Sequence, residues 1–337
     1  MRGVKAMLPA LVAGALALAA AGAAGAEPLK IRIAWTVPIA NWGSILAEKK
    51  DLARHLGKSY DLEPVHFSGT PPMITALATG DVEIADLAYS SLALAIENAG
   101  MADLRIISDE LQDGVEGHYS QEFMVRSDSD IKTVEDLKGK VLATNAAGSA
   151  VDIALRAMLV KHGIDPRKDV TIVEAGFPNM KAMLAEKKVD LIPGVLPFSM
   201  DPGLRQNART LFLQKAAIGR AQMLVWVGRA AFLDKYRAAM VDFMEDTLRI
   251  VHFYVDPANH AEAVAIAAKV TKQPPERFDS WLFTKLDYYR DAAMIPDIAA
   301  LQANVDVQQQ LGFLKAKVDL KNYVDLSIVK DAAQRLK

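Results

Sequence analysis

Cysteine does not occur anywhere in the 337-residue chain. Its absence excludes a disulfide framework, thiolate metal ligands, a thiol nucleophile and a lipid-carrying cysteine anchor. The six histidines, His55, His66, His118, His162, His252 and His260, show no metal-ligand spacing, and there is no His-x-x-x-His, Gly-x-Ser-x-Gly or glycine-rich phosphate loop. The sequence therefore predicts no metal, no cofactor and no catalytic residues: a binder rather than an enzyme. Charge of one sign is lacking too. The 39 Lys and Arg stand against 41 Asp and Glu, without the basic block that would suit nucleic acid. Past residue 26 no apolar run is long enough to span a bilayer, and no low-complexity linker divides the chain.

What is present begins with Arg2 and Lys5, an apolar stretch from 6 to 26, and Ala24-Gly25-Ala26 as a small-residue cleavage pattern before Glu27. This predicts a signal peptide, 1–26, cleaved after Ala26. The stretch is rich in Ala and Gly rather than Leu and Ile, which argues against a retained anchor. Processing removes two cations, moves the formal charge from −2 to −4 and leaves 311 residues. That length suits about two domains, in an exported protein that relies on an ordinary apolar core.

The alternation of Ile31, Ile33 and Trp35 with Lys30, Arg32 and Ala34 predicts a strand. A helix is expected from about Trp42 to Leu56, with Asn41 as its cap and Gly57 to end it, and a second strand over 63–67. Residues 69–84, GTPPMITALATGDVEI, are then echoed 107 positions later by 176–191, GFPNMKAMLAEKKVDL, with six identities in sixteen and no gap. Each copy reads as a Gly-x-Pro loop, a short amphipathic helix and a following strand. In the first copy Thr70 is the expected cap, Pro71 the first helical residue and Gly80 the stop. Val82–Ala88 is the next strand, Tyr89-Ser90-Ser91 opens another helix, and polar residues 109–122 read as a break. The order is that of an α/β fold with mostly parallel sheets, built twice and leaving a cleft between two lobes. The C-terminal third predicts helices over 232–255, 259–271, 275–282 and 296–311, with Leu233, Met240, Met244, Leu248 and Val251 as core.

Ligands of parallel sheets meet the carboxyl ends of the strands. The loops 36–42, 68–72 and 89–91 stand there, making Asn41, Thr70, Tyr89, Ser90 and Ser91 ligand candidates. The strand 140–143 runs into Asn145-Ala146-Ala147-Gly148-Ser149 before a long helix. Free backbone N–H groups at that helix start, with Asn145, Gly148 and Ser149, suit a carboxylate or sulfonate. Trp35, Trp42, Tyr89, Phe177 and Phe198 also sit at strand ends or helix starts, where rings can wall an organic ligand. The mismatched positions of the echo, Thr70 against Phe177 and Pro72 against Asn179, are candidates for ligand choice.

The segments MVRSDSDIKTVEDLKGKVLAT, HFSGTPPMITALATGDVEIADLAYSS and DPANHAEAVAIAAKVTKQPPE resemble substrate-binding proteins of ABC importers of the nitrate, alkanesulfonate and taurine type. The resemblance spans nearly the whole mature chain. It implies a type II periplasmic-binding-protein fold: lobe one over 27–122 plus 222–337, lobe two over 123–221, and two crossover strands. It also implies a monomer that captures a small organic anion in the periplasm and delivers it to an ABC permease of the inner membrane. His118, just before the lobe crossing, is a further ligand candidate on this pattern. Asp86 is expected either to face the cleft or to orient the Tyr89 loop. The alternatives are an exported ligand-sensing protein and a thiamine-precursor-type enzyme of the same fold.

Overall fold

Strand β1 (Leu29–Trp35) pairs in parallel with β2 (Tyr60–His66) and β3 (Ile84–Ala88), as strands alternating with helices require. The computed structural model describes residues 27–336, so the segment 1–26 expected to be a signal peptide lies outside the described residues. Strand β4 (Leu104–Asp113) completes this region of the chain, which then supplies β5 (Glu122–Arg126), β6 (Val141–Thr144), β7 (Thr171–Glu174), β8 (Leu191–Gly194) and β9 (Ala208–Leu213) before returning as β10 (Ala221–Arg229). Two five-stranded sheets result, ordered β2-β1-β3-β10-β4 and β7-β6-β8-β5-β9. In each, the strand in fourth place is antiparallel to its neighbours.

Helices flank both sheets. The first lobe carries α1 (Thr70–Thr79) and α2 (Tyr89–Glu97); the second carries α3 (Ala150–Lys161), α4 (Phe177–Ala185), α5 (Pro202–Asn207) and α6 (Gln214–Ile218). The C-terminal third folds back on the first lobe as α7 (Ala230–Lys235), α8 (Arg237–Val255), α9 (His260–Thr271), α10 (Ile298–Gln310) and α11 (Ser327–Arg335), with α10 against β10 and α11 against α8 and β4. Leu233, Met240, Met244, Leu248 and Val251 are buried there as core. Among the described residues no helix is long and apolar enough to cross a membrane.

The echoed segments occupy equivalent places, α1 leading to β3 and α4 leading to β8. Met73 and Met180, Leu77 and Leu184, and Val82 and Val189 are buried in both. The conserved acid character also has a structural use. Glu83 exchanges bonds with Arg32, donating its N–H to the carbonyl and accepting the amide on its carboxylate; Asp190 does the same with Val141. Each acid thus fixes the register of the following strand on its parallel neighbour, β3 on β1 and β8 on β6.

Local structure departs from expectation in several places. The helix foreseen over 42–56 is two 3-10 stretches, Trp42–Ser44 and Leu46–Leu52, with Lys49 outside helical geometry. Buried positions there recur every third residue, Trp42 with Ile45 and Leu46 with Lys49, which suits three residues per turn. Asn41 makes no side-chain cap; its Oδ1 accepts from Thr36 N, Thr36 Oγ1 and Val37 N, folding the loop back on itself. Strand β2 starts at Tyr60, whose hydroxyl is anchored on Asp246, three residues earlier than expected. Gly69, not Thr70, precedes α1, and Thr70 Oγ1 instead bonds Ser91 Oγ at 2.7 Å. The single helix expected over 232–255 breaks at Tyr236, and that over 275–282 is only a 3-10 turn, Pro275–Arg277.

The largest departure is at 109–113, which is not a break but the buried end of β4. Asp109, Glu110, Gln112 and Asp113 are all at most 2% exposed. Polarity alone suggested a loop, yet much of this polarity is bonded inside. Asp109 accepts from the amide of Asp291 and from Gln222, and Glu110 from the amide of Trp42. The chain crosses between lobes at 114–121 and again through α6. These two crossings are tied together: Asp113 accepts from Ser120 Oγ at 2.9 Å and from Gln121 N at 2.6 Å, and Ser120 Oγ accepts from Lys215 N at 3.1 Å.

Candidate functional site

The carboxyl ends of β1, β3, β6 and β8 point their loops at one another across the interlobe cleft. The lobes approach closely enough that a Cβ on Gly69 would stand 3.1 Å from Asn145 Nδ2 and 3.3 Å from Ala146 Cβ, so any larger residue here would have to push these neighbours back by a few tenths of an ångström. An inner cavity of about 50 Å³ lies between them. Its polar lining from the first lobe is Thr36, Asn41 and Thr70; from the second, Asn145 and Ser149; from the crossing, Gln121. The rest is largely apolar, including Val37, Leu111, Val151, Val195 and Met223, and among the described residues no charged side chain lines it.

Three sets of hydrogen-bonding groups are left over there. Asn41 is 1% exposed, and with Oδ1 spent on the loop its Nδ2 has no partner. Gln121 is fully buried and neither its Nε2 nor its Oε1 has a partner. At the start of α3 the amides of Ala150 and Val151 find no acceptor among the described residues. An unpaired buried polar group costs about 1–3 kcal/mol, so such a convergence is expected only where something else satisfies it.

The helix start is arranged differently from the expected anion cradle. Gly148 does adopt the left-handed conformation, φ 74°, but its N–H donates to Asp152 Oδ2. Ser149 is the N-cap: its Oγ accepts from Asp152 N at 3.2 Å and donates to Asn145 Oδ1 at 2.8 Å. Asp152 in turn is held by Arg156 Nε, 2.9 Å from each oxygen. The helix therefore uses its own third residue as a capping acid, as capping boxes do, and the donors that remain belong one and two residues further on.

A second, outer cavity of about 480 Å³ adjoins the first, and Phe177 lines both. Its walls include Trp35, Phe177 and Phe198, with the last two rings stacked at 6.2 Å. Its charged lining is Lys181, Asp201 and Arg277. Burial pushes the Asp201 carboxyl up, but hydrogen bonds from Lys181 and Arg277 outweigh it and hold the group at about 2.

Of the sequence candidates, then, Asn41, Thr70, Asn145, Ser149 and Phe177 line the inner cavity, and Trp35 and Phe198 the outer one. The others lie elsewhere. Trp42 is core, 1% exposed and stacked on Phe283 at 5.6 Å. Tyr89 is buried behind the cavity and reaches across the lobes to the carbonyl of Ala150 at 3.2 Å. Ser90 is buried, with its carbonyl held by Gln308, and Ser91 is spent on Thr70. His118 packs edge-on against Tyr289, Gly148 is placed so that a Cβ on it would meet Leu94 at 3.3 Å, and Asn179 is exposed; none lines either cavity. Asp86 neither faces the cleft nor orients the Tyr89 loop: it is 1% exposed inside β3 with both oxygens unpartnered. Burial and the nearby Glu110 raise its pKa well above the usual carboxylate range. Sequence reasoning missed Gln121 and Tyr288, which lie in segments with no periodic pattern to place them.

The chain matches the NMT1-like family over residues 24–268. In fold it is similar to the alkanesulfonate-binding protein SsuA of Xanthomonas axonopodis pv. citri, solved bound to MOPS, with 22% identity, a TM-score of 0.69, and 89% of this chain and 99% of that one covered. It is similar also to the periplasmic nitrate-binding protein NrtA of Synechocystis PCC 6803, at 14% identity and a TM-score of 0.70, covering 92% and 90%. The desulfurization enzyme DSZB shares the fold as well, at 14% identity and a TM-score of 0.65, covering 92% and 100%. The two-lobed architecture is thus that of periplasmic binding proteins, and with a match over well more than half its length the chain belongs to the NMT1-like family.

Proposed function

We propose that this protein is the solute-capture component of an ABC importer, binding a small organic anion, sulfonate or carboxylate, between its lobes. The observation that carries this reading is the convergence of unpartnered donors on an apolar-walled interlobe cavity: Asn41 Nδ2, Gln121 Nε2 and the amides of Ala150 and Val151. Neutral N–H groups at a helix start favour an acidic head without a formal counter-cation. The outer cavity, walled by Trp35, Phe177 and Phe198, then takes the organic body. A bare inorganic anion would leave those walls unused.

On this reading the lobes, 27–122 plus 222–337 and 123–221, close on the ligand by turning at the crossings near Asp113 and Ser120. Closure is favoured because donors from both lobes reach the ligand together only in the closed state. The protein works as a periplasmic monomer and presents its closed form to a permease. Binding without chemistry is favoured over an enzyme of this fold by the lining of the inner cavity, where the acidic head would sit: among the described residues its walls offer no carboxylate, histidine or lysine to act as base or nucleophile.

The test is calorimetric titration with aryl and alkyl carboxylates, alkanesulfonates and nitrate, alongside native mass spectrometry of protein purified from its host. An organic acid should bind tightest and be recovered intact. Tightest binding of nitrate, or conversion of the bound acid, overturns the reading.

A further inference from the structure

We infer that the cleft recognises a second acidic group on its ligand, at Lys181 and Arg277, so that the preferred cargo is an organic diacid. This rests on the capture function proposed above and deepens it. The inner cavity has no charged lining, whereas the outer one has three charged side chains, two cations and one acid. Lys181 Nζ lies 2.6 Å from Asp201 Oδ1, and Arg277 Nη2 lies 2.9 Å from Asp201 Oδ2. Asp201 Oδ1 also accepts from Leu204 N at 3.0 Å, capping α5. One carboxylate, already committed as a cap, therefore serves two cations, and the groove keeps one positive charge in excess.

Both cations retain unused N–H groups: Lys181 and Arg277 each bond only Asp201 through their side-chain nitrogens among the described residues. A guanidinium beside an ammonium is suited to a bridging carboxylate or sulfonate. Their placement adds a length requirement. Phe177 borders the inner cavity, and Lys181 follows it by four residues on α4, one helical turn or about 6 Å further along the same face. The cations thus stand beyond the shared Phe177 from the inner donors, so the two acids would be at opposite ends of one benzene ring or a short chain, with the ring lying against Trp35, Phe177 and Phe198. Arg277 comes from the first lobe and Lys181 from the second, so a distal acid would also bridge the closed cleft.

The experiment is titration of the full mature chain with two probe sets: benzene-1,4-dicarboxylate, its monomethyl ester and benzoate, and benzene-1,4-disulfonate with benzenesulfonate. The diacids should bind about tenfold or more tighter than their monoacid counterparts, a gain that Lys181→Gln and Arg277→Gln each erode while benzoate affinity stays within about twofold. Asp201→Asn, which keeps a side-chain cap on α5, should tighten the diacids further. Monoacids that bind as well as the diacids overturn the inference and leave the capture function standing. Failure of every acid in both sets overturns the two together.

Discussion

The hydroxyl of Tyr89, at the start of α2 in the first lobe, donates to the carbonyl of Ala150, at the start of α3 in the second, across 3.2 Å. The bond exists only while the lobes are together, and it ends on the residue whose amide faces the cavity. Replacing Tyr89 with Phe should therefore weaken ligand binding about three- to tenfold, the worth of one hydrogen bond, with little change in melting temperature. Titration calorimetry checks the first expectation and scanning calorimetry the second. Unchanged affinity would mean that this contact contributes nothing to closure.

Asn41 divides its amide, the oxygen holding the loop and the nitrogen standing unpartnered at the inner cavity among the described residues. Asn41→Asp separates them. The three donors from Thr36 and Val37 still find an oxygen, so the fold should persist, but a second carboxylate oxygen replaces the donor at the cavity. Affinity for an anionic ligand should fall about a hundredfold or more, as like charges in close contact require. A variant that binds the acid as well as the wild type would move the acidic head away from Asn41.

Two tryptophans seven residues apart should behave in opposite ways. Trp42 is buried against Phe283, Tyr254 and the Arg290 guanidinium, so Trp42→Ala should cost about 3–5 kcal/mol and lower the melting temperature by about 10 °C or more. Trp35 lines the outer cavity, its ring centred 4.6 Å from that of His66 and tilted against it by 56°. Trp35→Ala should leave the protein folded and reduce affinity for an aromatic acid. Equal effects of the two variants on melting would remove Trp35 from the ligand wall.

That contrast shows what the sequence can and cannot convey. The alternation through Ile31 and Ile33, the Gly-x-Pro repeat and the Gly80 stop are local signals, and they placed the strands, the duplicated unit and the cleft. Asn41, Thr70 and Ser149 were found as cavity residues, although as structural caps two of them act differently: Asn41 caps nothing, and Thr70 bonds Ser91. Which ring of Trp35 and Trp42 faces the cleft depends on Phe283 and Arg290, some 240 residues away in sequence, and no periodicity carries that. Nor did polarity reveal that 109–113 is a buried strand, because its acids are offset by Trp42, Gln222 and Asp291, residues from distant segments.

Those buried acids set a pH dependence. Burial raises Asp109 to about 7, Glu110 to about 8 and Asp113 to about 6, and raises Asp86 too. The unfolded chain releases these protons at around pH 4, whereas the folded chain keeps them to higher pH. The folded state thus binds more protons between about pH 4 and 8, and this contribution to stability is progressively lost as pH rises through that window. Asp86→Asn, a neutral mimic of the protonated acid, should flatten the slope and raise the melting temperature by about 2–4 °C at pH 8, with little effect at pH 5. Thermal melts from pH 5 to 8 check this; parallel curves for the two proteins would show that Asp86 is ionised in the fold.

The duplicated unit has one more outcome. Each copy brings the second residue of its Gly-x-Pro loop to the inner cavity, Thr70 from the first lobe and Phe177 from the second. The Thr70 hydroxyl is held by Ser91, and the Phe177 ring stacks on Phe198. One position of a repeated unit thus lends the cavity two unlike walls, and a lopsided molecule seated between them would have a preferred top and bottom.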